Sequence, residues 1–174
     1  LKTWVAGENP LLTFLALSEA SKGIGSLSVK PDPDGVFRRI PLLVRYQDAF
    51  YPSFSLKAAC DYLRVPPERM EIVPGKHILL KDADNPTADS AQDIVIPIDS
   101  HGNMIVNFLG PWGSMKHFRF SDIFQAAKSA EDMDLWADEL AEKIVVVSDV
   151  STGSSDVGPV PTDPNFPLSG LHSN

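Results

Sequence analysis

Fifteen prolines are spread through 174 residues, and they constrain this chain more than any other feature. Each holds its own φ at about −65°, withholds a backbone donor and turns the preceding residue away from helix. A chain so punctuated folds into many short elements joined by rigid turns. Its length suits one domain, which can bury roughly 70% of its unfolded surface without a disulfide or metal staple. Cys60 is the single cysteine, so no intrachain disulfide is possible. No apolar run approaches the roughly 18 residues of a membrane span, and no signal peptide is legible at Leu1. A formal net charge of −8 argues against nonspecific nucleic-acid binding, which needs a basic footprint.

The chain enters abruptly at Leu1 without a Met, and it reads as a segment excised from a longer protein. Asn9 as cap and Pro10 at the first helical position predict a helix over Asn9–Ala20. Leu11, Leu12, Phe14, Leu15 and Leu17 would give it a wide buried face, ending at Lys22-Gly23. A short strand over Ile24–Val29 precedes the turn Pro31-Asp32-Pro33-Asp34-Gly35. A longer strand follows over Val36–Tyr46, where Pro41 predicts an edge or a bulge. Ser53 caps a helix to about Arg64, with Leu56, Ala59, Cys60 and Leu63 on one side and Lys57, Asp61 and Arg64 opposite. Hairpins are expected over Met70–Val73 with His77–Leu80, and over Ile94–Ile98 with Met104–Leu109. Asp82–Asp93 reads as a polar surface loop.

Further on, Ser121 would cap a helix over Asp122–Ser129, and a second runs over Asp132–Glu142 with Met133, Trp136, Ala137, Leu140 and Ala141 in a stripe. Lys143–Val147 reads as a fully buried strand central to a sheet. Ser148–Asn174 has no period. The expected class is α/β in the mixed α+β sense: a mixed sheet with hairpins and flanking helices in a single domain.

Familiar catalytic constellations are missing from the sequence. His77, His101, His117 and His172 have no second ligand at helical spacing, so no metal is expected. The turn at Asp32 and Asp34 fails as an EF-hand, since Lys30 and Pro41 would fill the first and last ligand positions. Gly23-Ile24-Gly25 has Ser28 where a dinucleotide fingerprint needs its third glycine, and it follows a helix. Ser151, Ser154 and Ser155 near Asp156 lack nucleophile-elbow spacing. Cys60 on an apolar stripe reads as a small hydrophobe. Neither a catalytic residue nor a cofactor is expected. Arg38 falls on the apolar face of its strand and must be paired there, because an isolated buried charge costs several kcal/mol. Asp34 and Asp156 are the expected partners, in an ion pair fastening the Asp-Gly turn to the tail. The other reading of Arg38 and Arg39 is recognition of an anionic ligand.

Three stretches taken in order carry a resemblance. The first is Asp34-Gly35-Val36-Phe37-Arg38-Arg39-Ile40-Pro41, with Tyr51-Pro52-Ser53 after it. The second is Ile96-Pro97-Ile98-Asp99, then Gly102-Asn103 and on to Gly110-Pro111. The third is Lys143-Ile144-Val145-Val146-Val147, followed by Asp156, Pro161, Pro167, Gly170 and His172. This ordered set resembles the CHASE2 domain, an extracytoplasmic sensor module of bacterial receptors, over about Asn9 to the end. Ser148 departs from the family's glycine, and Leu168–His172 departs from its closing motif. The resemblance implies the later part of the family's domain, the part before it being absent here.

What it further implies is signal input without catalysis. The parent would be a multi-pass membrane protein with this segment on the extracytoplasmic face. Three membrane helices would lead to a cytoplasmic output domain, an adenylate or guanylate cyclase before a kinase, working as a homodimer. The signal would be a small molecule or a protein. Arg38, Arg39 and Asp34 are the first ligand contacts expected, then Tyr51, Trp112 and Asp156. The alternatives are a structural or partner-binding membrane-proximal module and a soluble hydrolase fragment built on Asp156 and His172.

Overall fold

The computed structural model describes residues 4–7, 10–11, 13–86, 88–150 and 156–173. They fall into two units, Leu1–Asn107 and Phe108–Asn174. The first contains α1 (Leu15–Ala20), β1 (Arg39–Pro41), β2 (Leu43–Tyr46), β3 (Ala49–Pro52), α2 (Phe54–Tyr62), β4 (Met70–Val73), β5 (His77–Ala83), β6 (Gln92–Pro97) and β7 (Asn103–Ile105). The second contains α3 (Phe120–Ala126), α4 (Ala130–Leu140), β8 (Val157–Val160) and β9 (Asp163–Pro167), followed by the 3₁₀ segment Leu168–Ser173. Short helices and small antiparallel sheets make this the mixed α/β class expected.

Pro41 divides the long strand read over Val36–Tyr46. A bend at Leu42 separates β1 from β2, and each takes its own partner. β1 pairs with β7, Ile40 opposite Met104. β2 pairs with β3, Val44 opposite Tyr51. The bend is tied on both sides: Leu42 N donates to Gly102 O, and Ser53 N donates to Leu42 O. Ile40, Leu42, Leu43 and Val44 are buried together with Leu56, Cys60, Val65, Ile78, Leu80 and Ile98. These form the core of the first unit. Each fully buried aliphatic side chain contributes about 1.5–3 kcal/mol.

The helix expected from Ser53 forms as α2. Ser53 Oγ accepts from Leu56 N at 3.1 Å, and Leu56 and Cys60 face the core. Its C-terminus is a Schellman motif. Val65 N donates to Cys60 O and Arg64 N to Asp61 O, with Arg64 at φ 52°. Glycine is the usual residue there, and a side chain in this left-handed backbone costs about 1–2 kcal/mol. A glycine is present where the backbone requires one at Gly102 (φ 80°), whose absent Cβ would lie 2.9 Å from the Trp4 ring. Trp4 is buried and meets Phe50 edge-on at 5.3 Å.

Several expectations are corrected. The first helix is only Leu15–Ala20, and Phe14, Leu15 and Leu17 are exposed rather than buried. Its expected cap Asn9 and Leu12 lie outside the described residues. Periodicity marks an apolar face but not a partner to cover it. Ile24–Val29 makes only an isolated bridge, Ser26 with Ser53. Gly25 allows this, since a Cβ there would lie 2.4 Å from Phe54 Cα. The first hairpin, β4 with β5, forms as read. The turn at Asp99–Asn103 also forms, but its arms diverge: β6 pairs with β5 and β7 with β1. A turn signal reports chain reversal and not what each arm meets beyond it.

In the second unit α3 begins at Phe120 with Arg119 at the cap, so Ser121 is helical rather than capping. Ser129 caps α4 instead, accepting from Asp132 N, and the helix starts two residues before the expected Asp132. Among the described residues Lys143–Val147 joins no β-ladder, and Ile144, Val145 and Val147 are exposed. β-branched residues favour a strand, yet a strand also needs an edge to pair with. The aperiodic tail, by contrast, holds the hairpin β8–β9, with Gly158 opposite Phe166. Its prolines mask the period and are tolerated because a two-stranded sheet has only edges. Phe166 is fully buried and meets Phe108 and Trp112 edge-on at 5.9 and 5.5 Å.

Candidate functional site

The Asp-Gly turn brings Arg38, Arg39 and Asp34 together through Asp32, a turn residue that the sequence did not mark as a partner of the arginines. Gly35 takes φ 83°, so Gly35 N reaches Asp32 O at 2.8 Å and Asp32 N reaches Val36 O at 2.9 Å. That closure puts both carboxylates beside the start of β1. Arg38 clasps Asp34 with a two-pronged fork, both bonds 2.9 Å, and reaches Asp32 at 3.1 Å. Arg39 bonds the other Asp32 oxygen.

The Arg38 bond, followed by the Val36 amide, holds the Asp34 carboxyl at about 2. Asp34 in turn pushes the Arg38 guanidinium above its usual range. Two cations meet two carboxylates, so the cluster is neutral and its chemistry is fastening. The expected pairing of Arg38 with Asp34 is present. Asp156, its other expected partner, belongs to the second unit, where its carbonyl accepts from Leu168 N.

The remaining expected contacts stand elsewhere in the fold. Tyr51 is on β3, half-exposed, with its ring 6.3 Å from Tyr46. Trp112 is in the second unit, where its backbone N–H donates to the Asp163 carboxylate at 3.2 Å and its ring lies 4.2 Å from His117. His77 opens β5, His101 is in the Asp99 turn, and His172 is buried in the second unit. Burial alone would raise the Asp99 carboxyl. The Asn103 backbone and side-chain amides and the His101 N–H outweigh that and hold it below the usual range. Burial pushes the Cys60 thiol up, as suits a small core residue. Ser151, Ser154 and Ser155 lie outside the described residues. Among the described residues no group of His, Cys, Asp or Glu could hold a metal ion.

The first unit also carries an open cleft of about 490 Å³. Pro52, Val65, Pro67 and Met70 give it apolar walls, and Lys22, Lys57, Arg64 and Arg69 line it with positive charge. Among the described residues Asp61 is its single lining carboxylate, held by Lys57 and by Lys22 at 3.6 Å. Arg69 donates to two carbonyls, Asp82 O and Arg64 O. Arg64 reaches Asp84 at 3.0 Å across exposed surface. The sequence reading had put Lys57, Asp61 and Arg64 on one side of the helix. Lys22 and Arg69 come from separate segments, so no local spacing could have gathered the set.

No helix among the described residues is long and apolar enough to cross a membrane. Neither the curated proteins nor the solved structures give a match. The family model for the CHASE2 domain matches residues 2–174. CHASE2 domains are extracytoplasmic sensor modules of receptors, and they are sensory rather than catalytic. With a match over nearly its whole length, this chain belongs to the CHASE2 family.

Proposed function

We propose that this chain is the signal-input segment of a bacterial multi-pass membrane receptor, working as a homodimer and governing a cytoplasmic output domain, an adenylate or guanylate cyclase. The observation that carries this reading is the family match over residues 2–174. Input would work by difference in affinity: a ligand or partner that binds one of two states more tightly shifts the receptor toward it. The parent reading frame tests it. One anchor upstream and about three spans of roughly 20 apolar residues after Asn174, ahead of a cyclase domain, are expected. A frame without spans on either side would overturn the reading and bring forward a partner-binding module.

Within this reading the neutral cluster of Arg38, Arg39, Asp32 and Asp34 supports a fastening role. Tyr51, Trp112 and Asp156 would be further contacts of a ligand held by Arg38 and Arg39. Such an anion would have to displace a carboxylate from the Arg38 fork, which weighs against it.

A further inference from the structure

We propose that the cleft at the C-terminal end of α2 binds a small organic anion, its carboxylate or phosphate head on Arg64 and Arg69 and its apolar body on Val65, Pro67 and Met70. Four cations line this cleft against one carboxylate, in a chain whose net charge is −8. Asp61 is already held by Lys22 and Lys57, so an entering anion meets Arg69 without a carboxylate in its way and competes only with the exposed Asp84 for Arg64. The volume of about 490 Å³ lies within the roughly 300–1,000 Å³ of small-ligand clefts.

Arg64 carries the argument furthest. It occupies the left-handed position closing α2, with φ 52°, where glycine would be unstrained. Its carboxylate partner there is Asp84, and both side chains are largely exposed, at 79% and 55%. An exposed pair of that kind adds little to stability, so it does not repay the strain. Gln47, Asp82 and Glu142 hold the same left-handed backbone, so the strain points to the cleft only together with its charges and apolar walls. Arg69 is positioned by the carbonyls of Asp82 and Arg64, and among the described residues its charge meets no carboxylate. Attraction of cations to a helix C-terminus accounts for part of this cluster. It does not account for the apolar walls. The site stands on these residues alone, so its failure and that of the receptor reading are separate outcomes.

Titration of the ¹⁵N-labelled chain with phenyl phosphate and with benzoate at low salt tests the proposal, with phenol and inorganic phosphate as controls. Amide shifts confined to Lys57, Cys60, Val65, Arg69, Met70 and their neighbours are expected with at least one of the two anions, which names the head group. Each control should bind about tenfold more weakly or less, since each lacks one half of the contact. Arg64→Gly relieves the backbone strain, so its Tm should match or exceed the parent's while affinity falls about tenfold, the loss of one charge-assisted pair. No shifts with either anion, shifts centred elsewhere, phosphate binding as tightly as phenyl phosphate, or full affinity in Arg64→Gly would each overturn it.

Discussion

Asp34 shows what one carboxyl does for the turn it closes. Its folded value of about 2 lies below the ordinary 3.8, so its contribution to stability is present above about 3.8 and is lost as pH falls through about 2. A ¹³C carboxyl titration should find that low midpoint for Asp34. Arg38→Ala should return it toward the ordinary value, and a wild-type midpoint near 3.8 would mean the fork is not populated in solution. This part of the site was legible in advance, because an arginine on an apolar strand face needs a partner and Asp34 stands four residues away. The pairing of Asp32 was not legible. Its role depends on Gly35 bending the chain until a second carboxylate reaches both guanidinium groups.

At the scale of elements, α2 has the best-defined start. Ser53 is fully buried and its hydroxyl meets the free amide of Leu56. Ser53→Ala should lower stability by about 1–2 kcal/mol, read as a lower denaturant midpoint at unchanged slope. A variant as stable as the parent would show that another group satisfies that amide. This helix was readable because cap, stripe and stop are all local: Ser53, Leu56 to Leu63, and Pro66-Pro67. β4 with β5 was readable for the same reason. The elements that escaped depend on distant partners. β7 leaves the Asp99 turn to join β1, and β8–β9 is hidden by Pro159, Pro164 and Pro167 in edge positions and Pro161 in the turn between them. Lys143–Val147 has every local mark of a strand and no ladder. The cleft at α2 was half legible, since three of its charged residues share one side of a helix.

At the scale of the whole molecule the core is unevenly divided. Of the seventeen buried apolar residues among those described, thirteen belong to the first unit and four to the second. Amide protection follows buried packing, so hydrogen exchange should be slowest in β5 and β2 and faster in β8 and β9. Equal protection in β5 and β9 would show that the second unit draws stability from something other than its own core. Ile144–Val147 stands at the other extreme. Its four amides make no hydrogen bond among the described residues, and its β-branched side chains are mostly open to water. Such a segment keeps time as an exchange clock: its amides should lose their deuterium label almost at the rate of free peptide, and whatever chain or molecule comes to lie along them will be announced by its slowing.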